Sequence, residues 1–298
     1  DAFVGQNVII RILGTWISGD YDLSIDNLSI MVPPPSITSF DPIAVCEDSE
    51  TIVTITGAYF DGATNVSVGA SSADFEFVNS NTITFTLPLG ASSGLISVTT
   101  PGGTAFSSTE LTVNPFPTVN PIIGDSALCM PNTLLLTPGS PGGTWSSSNE
   151  AIATVVGGTV TGVSEGTVTI SYSVTDNGCT TVVTHDVTVN APVVISSFTE
   201  SQTVVTGNSA TFSVVATGTG LTYQWFAFDG IDTYELDDLD SLFGESYTGS
   251  TTASLIVGSV PIDLNGFEFY CQVSGVSPCT PETTTPNSLL SVGDTGID

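Results

Sequence analysis

The sequence predicts an all-β protein built from several β-sandwich domains in a row. Short runs rich in Val, Ile and Thr alternate between apolar and polar residues, which is the pattern of half-buried strands. A turn containing Gly, Pro, Asn or Asp follows each run, at intervals of about 8–12 residues, as expected for sandwiches. No window of roughly 11 or more residues has the apolar face of an amphipathic helix, so helices are not expected.

The charge is the most unusual property of the composition. Arg11 is the only Lys or Arg in 298 residues, against 30 Asp and Glu, and the formal net charge is -29. Proteins that bind nucleic acid or anionic membrane surfaces need clusters of cationic side chains, so both classes of partner are excluded. No run of about 18 apolar residues is present, so no membrane insertion of this segment is expected.

The same imbalance constrains how the fold is stabilised. With one arginine and one histidine, His185, surface salt bridges can hardly form, so stability must come from apolar burial and backbone hydrogen bonds. A surface almost without basic residues resists proteases that cleave at them, and it is also common in proteins from salty environments. Both explanations place the chain outside the cell.

Residues 1–32 predict two strands joined by a turn at Ser18-Gly19-Asp20. An isolated hairpin is only marginally stable in water, so we expect this one to complete a sheet whose earlier strands precede this chain. Asp22 and Asp26 share a strand face in this hairpin, where an ion pair with Arg11 is favoured over calcium binding.

Three sandwich-sized segments follow, and prolines separate each from the next. Consecutive prolines favour a stiff, extended linker, so we expect the sandwiches to run end to end as a semi-rigid rod on the order of 100 Å long. The predicted segments are a first sandwich at 36–114, a second sandwich at 118–190, a third sandwich at 193–292 and a tail at 293–298.

The five cysteines are Cys46, Cys129, Cys179, Cys271 and Cys279, and none forms a CxxC pair, so a zinc or redox motif is not expected. In an oxidising compartment two local pairings are natural, Cys129 with Cys179 and Cys271 with Cys279. Cys46 is then left over, either as a buried thiol or as the partner of a residue outside this chain.

Each sandwich resembles a family of immunoglobulin-like domains. The first resembles TIG/IPT domains through "ITSFDP", "VTITGAYFDGATNVSVG", "TITFTLP" and "ISVTTPGGTAFSS". The second is similar to bacterial group 2 immunoglobulin-like domains through "GGTWSSSNEAIATV" and "GTVTGVSEGTVTISYSV". The third is similar to immunoglobulin domains of bacterial surface proteins through "TFSVVATGTGLTYQWF" and "DLNGFEFYCQV". The opening hairpin is similar to the last strands of jelly-roll domains from secreted adhesins, so it would end a truncated jelly-roll-like domain.

The third sandwich departs from the antibody pattern at two positions. Its strand B carries no cysteine, and Phe269 stands where a tyrosine corner would place Tyr. Cys271 therefore lacks the usual partner in the opposite sheet, which favours its pairing with Cys279.

Together the resemblances imply a large multidomain surface adhesin of the kind found in gliding and marine bacteria and exported by type IX secretion. We therefore expect a non-enzymatic stalk segment of an extracellular adhesin or surface filament, which spaces and presents a binding region. Its expected partners are further domains of the same long chain or neighbouring copies, with surface polysaccharide as a candidate ligand. The alternatives are a self-assembling fibre subunit and an accessory stalk of a secreted polysaccharide-degrading enzyme.

No set of catalytic or sugar-stacking residues emerges from the sequence. A Ser-His-Asp site would need His185, but this histidine is in phase with neighbouring core valines, which predicts a structural position at the rim of the core. GxSxG, GxGxxG and P-loop motifs are absent. Trp16, Trp145 and Trp225 fall in different domains; we expect Trp225 in a core and Trp145 half-buried.

Seven carboxylates lie between Asp229 and Glu245 in the third sandwich. Crowded carboxylates repel one another unless a cation intervenes, and Ca²⁺ accepts several oxygen ligands in flexible geometry. The candidate ligands are Asp237, Asp238 and Asp240, although their spacing is not that of an EF-hand. A solvated loop without calcium is the favoured alternative.

Two tripeptides, Asp125–Ala127 and Asp240–Leu242, resemble the Asp-Ser/Thr-apolar acceptor of O-glycosylation in these bacteria. The resemblance implies glycans on Ser126 and Ser241.

Overall fold

The computed structural model describes residues 32–279 and 283–294. The predicted jelly-roll hairpin, including Arg11 and its expected aspartate partners, lies outside the described residues, and so does Trp16. The described chain divides into two compact units. The first contains residues 32–118 and the segment Thr175–Thr181, and the second contains Val119–Val174 and residues 182–294.

The first sandwich belongs to the first unit. Its strands are β1 (Ser36–Asp41), β2 (Ala44–Cys46), β3 (Ile52–Ala58), β4 (Asn65–Val68), β5 (Ser71–Ala73), β6 (Phe75–Asn79), β7 (Thr82–Thr86), β8 (Gly94–Thr100) and β9 (Gly103–Asn114). They form one sheet in the order β1-β3-β7-β6 and a second in the order β2-β9-β8-β4-β5. The paired strands are antiparallel except β2 and β9, which run parallel.

Alternation along the strands builds the core of the first sandwich. On β3, Val53 and Ile55 are fully buried while Ile52 is 62% exposed, as the period of two for a strand requires. Gly57 at the end of β3 allows β1 to approach closely, because a Cβ there would lie 1.9 Å from the carbonyl oxygen of Ser36.

The second sandwich belongs to the second unit, except for the tip of its last hairpin. Its strands are β10 (Ala127–Cys129), β11 (Thr133–Leu135), β12 (Thr144–Ser147), β13 (Ala153–Val156), β14 (Thr159–Gly162), β15 (Gly166–Asp176) and β16 (Cys179–Asn190). The sheets have the orders β10-β16-β15-β12 and β11-β14-β13. The tip between β15 and β16 is the segment Thr175–Thr181 of the first unit.

The third sandwich completes the second unit. Its strands are β17 (Val194–Phe198), β18 (Ser201–Val205), β19 (Ala210–Thr217), β20 (Thr222–Phe228), β21 (Thr233–Glu235), β22 (Ser246–Thr248), β23 (Ser254–Gly258), β24 (Glu268–Ser274), β25 (Thr283–Thr284) and β26 (Ser288–Gly293), with a 3-10 turn at Ile262–Leu264. One sheet has the order β17-β19-β23-β22 and the other β18-β26-β24-β20-β21, with β25 paired to β24.

Trp145, Trp225 and His185 lie where the sequence predicts. Trp225 is 1% exposed in the core of the third sandwich, and its Nε1 donates to the Thr252 carbonyl at 2.8 Å. Trp145 is half-buried, with its ring centroid 4.8 Å from that of Tyr172. His185 is half-buried on β16, where its Nε2 lies 3.0 Å from the carbonyl oxygen of Asp125. Its predicted position at the rim of the core is confirmed.

Candidate functional site: two disulfide-bonded junctions

Two short strands occupy the same position in the first and second sandwiches. The tripeptide Ala44-Val45-Cys46 pairs in parallel with the end of β9, and Ala127-Leu128-Cys129 pairs in parallel with the end of β16. In each case the cysteine stands opposite the last residue of the partner strand, Asn114 or Asn190. A proline-containing linker follows each asparagine. Both cysteines therefore lie where the chain leaves a sandwich.

The cysteines that they bond also share a position. Cys179 begins β16, directly after the turn at Asn177-Gly178. Cys279 lies in the connection that follows β24, before the chain enters β26. Each therefore lies in, or directly at the end of, the connection between the last two long strands of its sandwich.

The disulfides join these two kinds of position. Cys46 bonds Cys179 with 5.6 Å between their Cα atoms, and Cys129 bonds Cys279 with 5.0 Å, both within the usual range for disulfides. The first bond lies in the first compact unit and the second bond in the second unit. Each bond links the exit end of one sandwich to the last hairpin connection of the next sandwich along the chain.

The predicted pairing of Cys129 with Cys179 is wrong. Cys179 is the first residue of β16, whereas Cys129 stands opposite the last residue of the same strand. A 12-residue strand extends roughly 36 Å, and a disulfide cannot form between Cα atoms more than about 7 Å apart.

The predicted pairing of Cys271 with Cys279 is also wrong, and Cys46 is not left over. Cys271 points into the core from the middle of β24, fully buried like its neighbours Phe269 and Val273. Cys279 lies beyond the end of β24. Cys271 remains a free thiol, and burial raises the pKa of this thiol to about 12.

A hydrogen bond accompanies the first disulfide. The Asn114 side chain donates to the carbonyl of Asn177 at 3.1 Å, two residues before the bonded Cys179. Glu47, next to Cys46, accepts the amide of Phe116 in the linker at 3.0 Å. The linker and the hairpin tip are thus both tied to the exit end of the first sandwich.

The second junction repeats this arrangement. The side chain of Asn190, which is 3% exposed, donates to the carbonyl of Ser277 at 3.5 Å, again two residues before the bonded cysteine. The linker is held by Thr219, whose hydroxyl accepts the amide of Ala191 at 2.7 Å and whose amide donates to the Ala191 carbonyl at 3.2 Å.

The sequence alone does not indicate that the two asparagines lie at the junctions, although a repeated pattern marks them. The triplet Thr-Val-Asn ends β9 and also β16, and each triplet pairs with an Ala-X-Cys strand. The third sandwich has the corresponding parallel strand, β18 paired with β26, but β18 contains no cysteine.

The acidic segment of the third sandwich uses its carboxylates to accept backbone amides. Asp238 accepts the amides of Ser250 at 2.8 Å and Gly249 at 3.0 Å, and the bonds to Ser250 and Gly249 hold its pKa below the usual value. Asp237 accepts the amide of Leu239 at 2.9 Å. The amide of Asp240 donates to the Asp237 carbonyl at 3.2 Å.

The structure does not assemble the predicted calcium ligands into a set. Within residues 32–279 and 283–294, no three His, Cys, Asp or Glu side chains form a group that could hold a metal ion. Asp237 and Asp238 accept hydrogen bonds from different backbone amides, although both line one surface depression with Asp240. Calcium binding at Asp237, Asp238 and Asp240 stays a prediction without an assembled ligand set.

Glu245 is the buried member of this acidic segment, at 3% exposure. It accepts the amides of Leu242 at 2.7 Å and Phe243 at 2.8 Å, and also the hydroxyl of Tyr247. Burial raises the pKa of the Glu245 carboxyl, but these donors outweigh it and the pKa lies below its usual value. The buried carboxylate thus fixes the conformation of the loop before β22 by accepting its backbone amides.

Both predicted glycosylation residues are accessible. Ser126 and Ser241 are exposed, and the Ser126 hydroxyl lies 3.3 Å from the His185 ring nitrogen Nε2. Glycans on these residues stay a prediction.

Comparison with known proteins supports this description of the fold. Residues 35–114 match the IPT/TIG domain family, which confirms the resemblance found for the first sandwich. No curated protein sequence matches the chain. The described residues contain no helix long and apolar enough to cross a membrane.

Solved structures with tandem immunoglobulin domains are similar to this chain. The I-band fragment I67-I69 from titin is 12% identical, with a TM-score of 0.44, over 88% of this chain and 97% of that fragment. Drosophila OTK, extracellular domains 3-5, is 11% identical, with a TM-score of 0.42, over 88% of this chain and 99% of that one. These likenesses concern the fold alone. The predicted fold class of tandem immunoglobulin-like β-sandwiches is confirmed.

The disulfide assignment predicts a specific peptide map. Because the chain has a single basic cleavage residue, Arg11, digestion with pepsin without reduction should give one linked pair containing Cys46 and Cys179 and another containing Cys129 and Cys279. Iodoacetamide at pH 8 should label no cysteine in the native chain, since the Cys271 thiol is buried and has a raised pKa. It should label Cys271 alone after unfolding without reduction. A linked pair containing Cys271 would contradict the assignment.

Glu245→Gln should destabilise the third sandwich by about 1–3 kcal/mol at pH 7, because a buried hydrogen-bond acceptor is lost. A carboxyl with a lowered folded-state pKa stabilises the fold above its unfolded-state pKa, and this stabilisation is lost as the pH falls through the folded-state pKa. The cost measured by urea denaturation should therefore shrink between pH 7 and pH 3. Glu235→Gln, at an exposed position in the same segment, is the matched control and should shift the urea midpoint little at either pH. An equal cost for both variants would exclude the proposed role of Glu245.

Proposed function

We propose that this chain is a structural stalk segment of an extracellular adhesin or surface filament, which spaces and presents a binding region. The observation that carries the proposal is the disulfide at each of the two junctions between consecutive sandwiches. A stalk must transmit position and force along the chain, and that requires junctions that do not hinge freely.

Neighbouring domains in one chain usually move relative to each other unless their interface is large and apolar. Here each junction has a covalent bond, an asparagine side chain bonded to the hairpin connection and a linker amide bonded to a neighbouring side chain. These bonds oppose hinge motion by means other than a large interface. They also close loops with sequence separations of 133 and 150 residues, and loops of about 100 residues stabilise a fold by roughly 4.7 kcal/mol in the chain-entropy model.

The chemistry of the chain supports an extracellular location. Disulfides persist in oxidising compartments, and four of the five cysteines are disulfide-bonded. The partners that we propose are further domains of the same long chain or neighbouring copies, with surface polysaccharide as the candidate ligand. The sequence resemblances to domains of bacterial surface proteins and secreted adhesins support an origin in type IX-secreted surface proteins of gliding or marine bacteria.

The charge favours the stalk over a self-assembling fibre subunit. A net charge of -29 makes identical copies repel one another, which keeps a chain monomeric. The accessory stalk of a polysaccharide-degrading enzyme would use the same junctions, and it differs only in the domain that the stalk carries.

Small-angle X-ray scattering tests whether the junctions are held. We expect a narrow distance distribution for the native chain and a broader one, with the scattering of flexibly linked domains, for the double variant Cys179→Ser/Cys279→Ser. Cys271→Ala removes the free thiol without breaking a bond and is the matched control. Superimposable curves for the native chain and the double variant would show that the disulfides do not restrain the junctions, and the stalk proposal would fail.

A further inference from the structure

The two disulfide loops overlap along the chain. Cys129 lies between Cys46 and Cys179 in sequence, whereas its partner Cys279 lies beyond both. The second sandwich carries one cysteine of each bond, Cys129 at its exit end and Cys179 at its last hairpin. Neither bond closes within a single sandwich, so the covalent connections of the three sandwiches cannot be separated into independent loops.

We propose that the crossed disulfides route tension backward through the second sandwich, past most of the first and third, and limit the extension of the whole chain to less than half its full length. This device would act whenever the two ends of the chain are pulled apart, so it goes beyond the stalk role and does not depend on it.

The shortest covalent path between the two ends defines where tension goes. It runs from the start of the chain to Cys46, crosses to Cys179, returns backward along the second sandwich to Cys129, and crosses to Cys279 before it leaves. Strands β3 to β9 of the first sandwich and β17 to β24 of the third lie off this path. Strands β1 and β2 of the first sandwich and β25 and β26 of the third lie on the path, so the path bypasses most but not all of these two sandwiches.

Within the second sandwich, the pulling force acts at Cys179 and Cys129. It is directed along the length of a pair of parallel strands. Cys179 is the first residue of β16 and Cys129 the last residue of β10, and the two strands pair in parallel with Ala127 opposite Thr188. Opposite pulls at these two ends slide the strands past each other. The hydrogen bonds between them must then break together and not one after another.

Contacts beyond the ladder resist the same sliding. The amide of Thr188 donates to the Ser126 carbonyl at 2.9 Å, and the amide of Met130 donates to the Asn190 carbonyl at 3.0 Å. Leu128 on β10 is also buried in the core of the second sandwich, at 3% exposure. Sliding therefore breaks hydrogen bonds and exposes apolar surface in the same step.

Because the loops cross, the lengths gained by breaking each bond alone do not sum to the length gained by breaking both. The path across both bonds contains on the order of 120 residues and extends to roughly 400 Å, against roughly 1,000 Å for the chain without disulfides, at about 3.4 Å per residue. With Cys129–Cys279 as the only bond the limit is about 500 Å, and with Cys46–Cys179 as the only bond it is about 560 Å. Either bond alone therefore removes about half of the chain's length from the path.

Single-molecule force extension of the 298-residue chain, held at its two ends, tests the proposal. The limit is read at forces that unfold every sandwich, so a variant that folds poorly still reports its length, once peptide mapping confirms its remaining bond. We expect Cys46→Ser/Cys179→Ser and Cys129→Ser/Cys279→Ser each to lengthen the limit by about a third, and all four substitutions to lengthen it about 2.5-fold. Cys271→Ala should leave it unchanged.

The results that would overturn the proposal are equally distinct. Independent loops would give gains that add, so that the fourfold variant gains only the sum of the two double variants. Local pairings of Cys129 with Cys179 and Cys271 with Cys279 would give the native chain a limit of roughly 800 Å. A native chain that extends well beyond roughly 400 Å would contradict the routing of tension across both bonds.

Discussion

The near-absence of positive charge determines which interactions can stabilise this protein. With Arg11 as the only Lys or Arg against 30 acidic residues, ion pairs cannot hold the sandwiches together or satisfy their carboxylates. Cohesion within each sandwich therefore comes from apolar burial and backbone ladders. The chain also has a disulfide at each of the two junctions between consecutive sandwiches.

The same constraint explains the acidic segment of the third sandwich. Carboxylates that lack cationic partners accept hydrogen bonds from backbone amides, as Asp229, Asp237, Asp238 and Glu245 do. These bonds hold the pKa of Asp229, Asp238 and Glu245 below the usual value, and they define the turns of the segment. Crowding of acidic residues is therefore accounted for by local structure.

Strand alternation and turn chemistry made the fold predictable from the sequence. Val53 and Ile55 alternate with more exposed residues on β3. The burial of Trp225 in the core likewise agrees with its position in a predicted strand. The disulfide partners were not predictable in this way, because cysteines that are near in sequence need not be near in space. Cys129 and Cys179 belong to one sandwich but lie near opposite ends of a long strand, and only the three-dimensional structure shows which sandwich ends meet.

The dependence of stability on salt tests whether this fold is held without ion pairs and against repulsion among its carboxylates. The Debye length falls from about 30 Å at 0.01 M to about 8 Å at 0.15 M ionic strength, so added salt screens charges more strongly. Stronger screening weakens repulsion among the carboxylates of a chain that has almost no attractive ion pairs to lose. We expect the urea midpoint of the native, disulfide-bonded chain to rise as NaCl or KCl is raised over this range. A midpoint that falls with salt, as it does for a protein held by ion pairs, would contradict it.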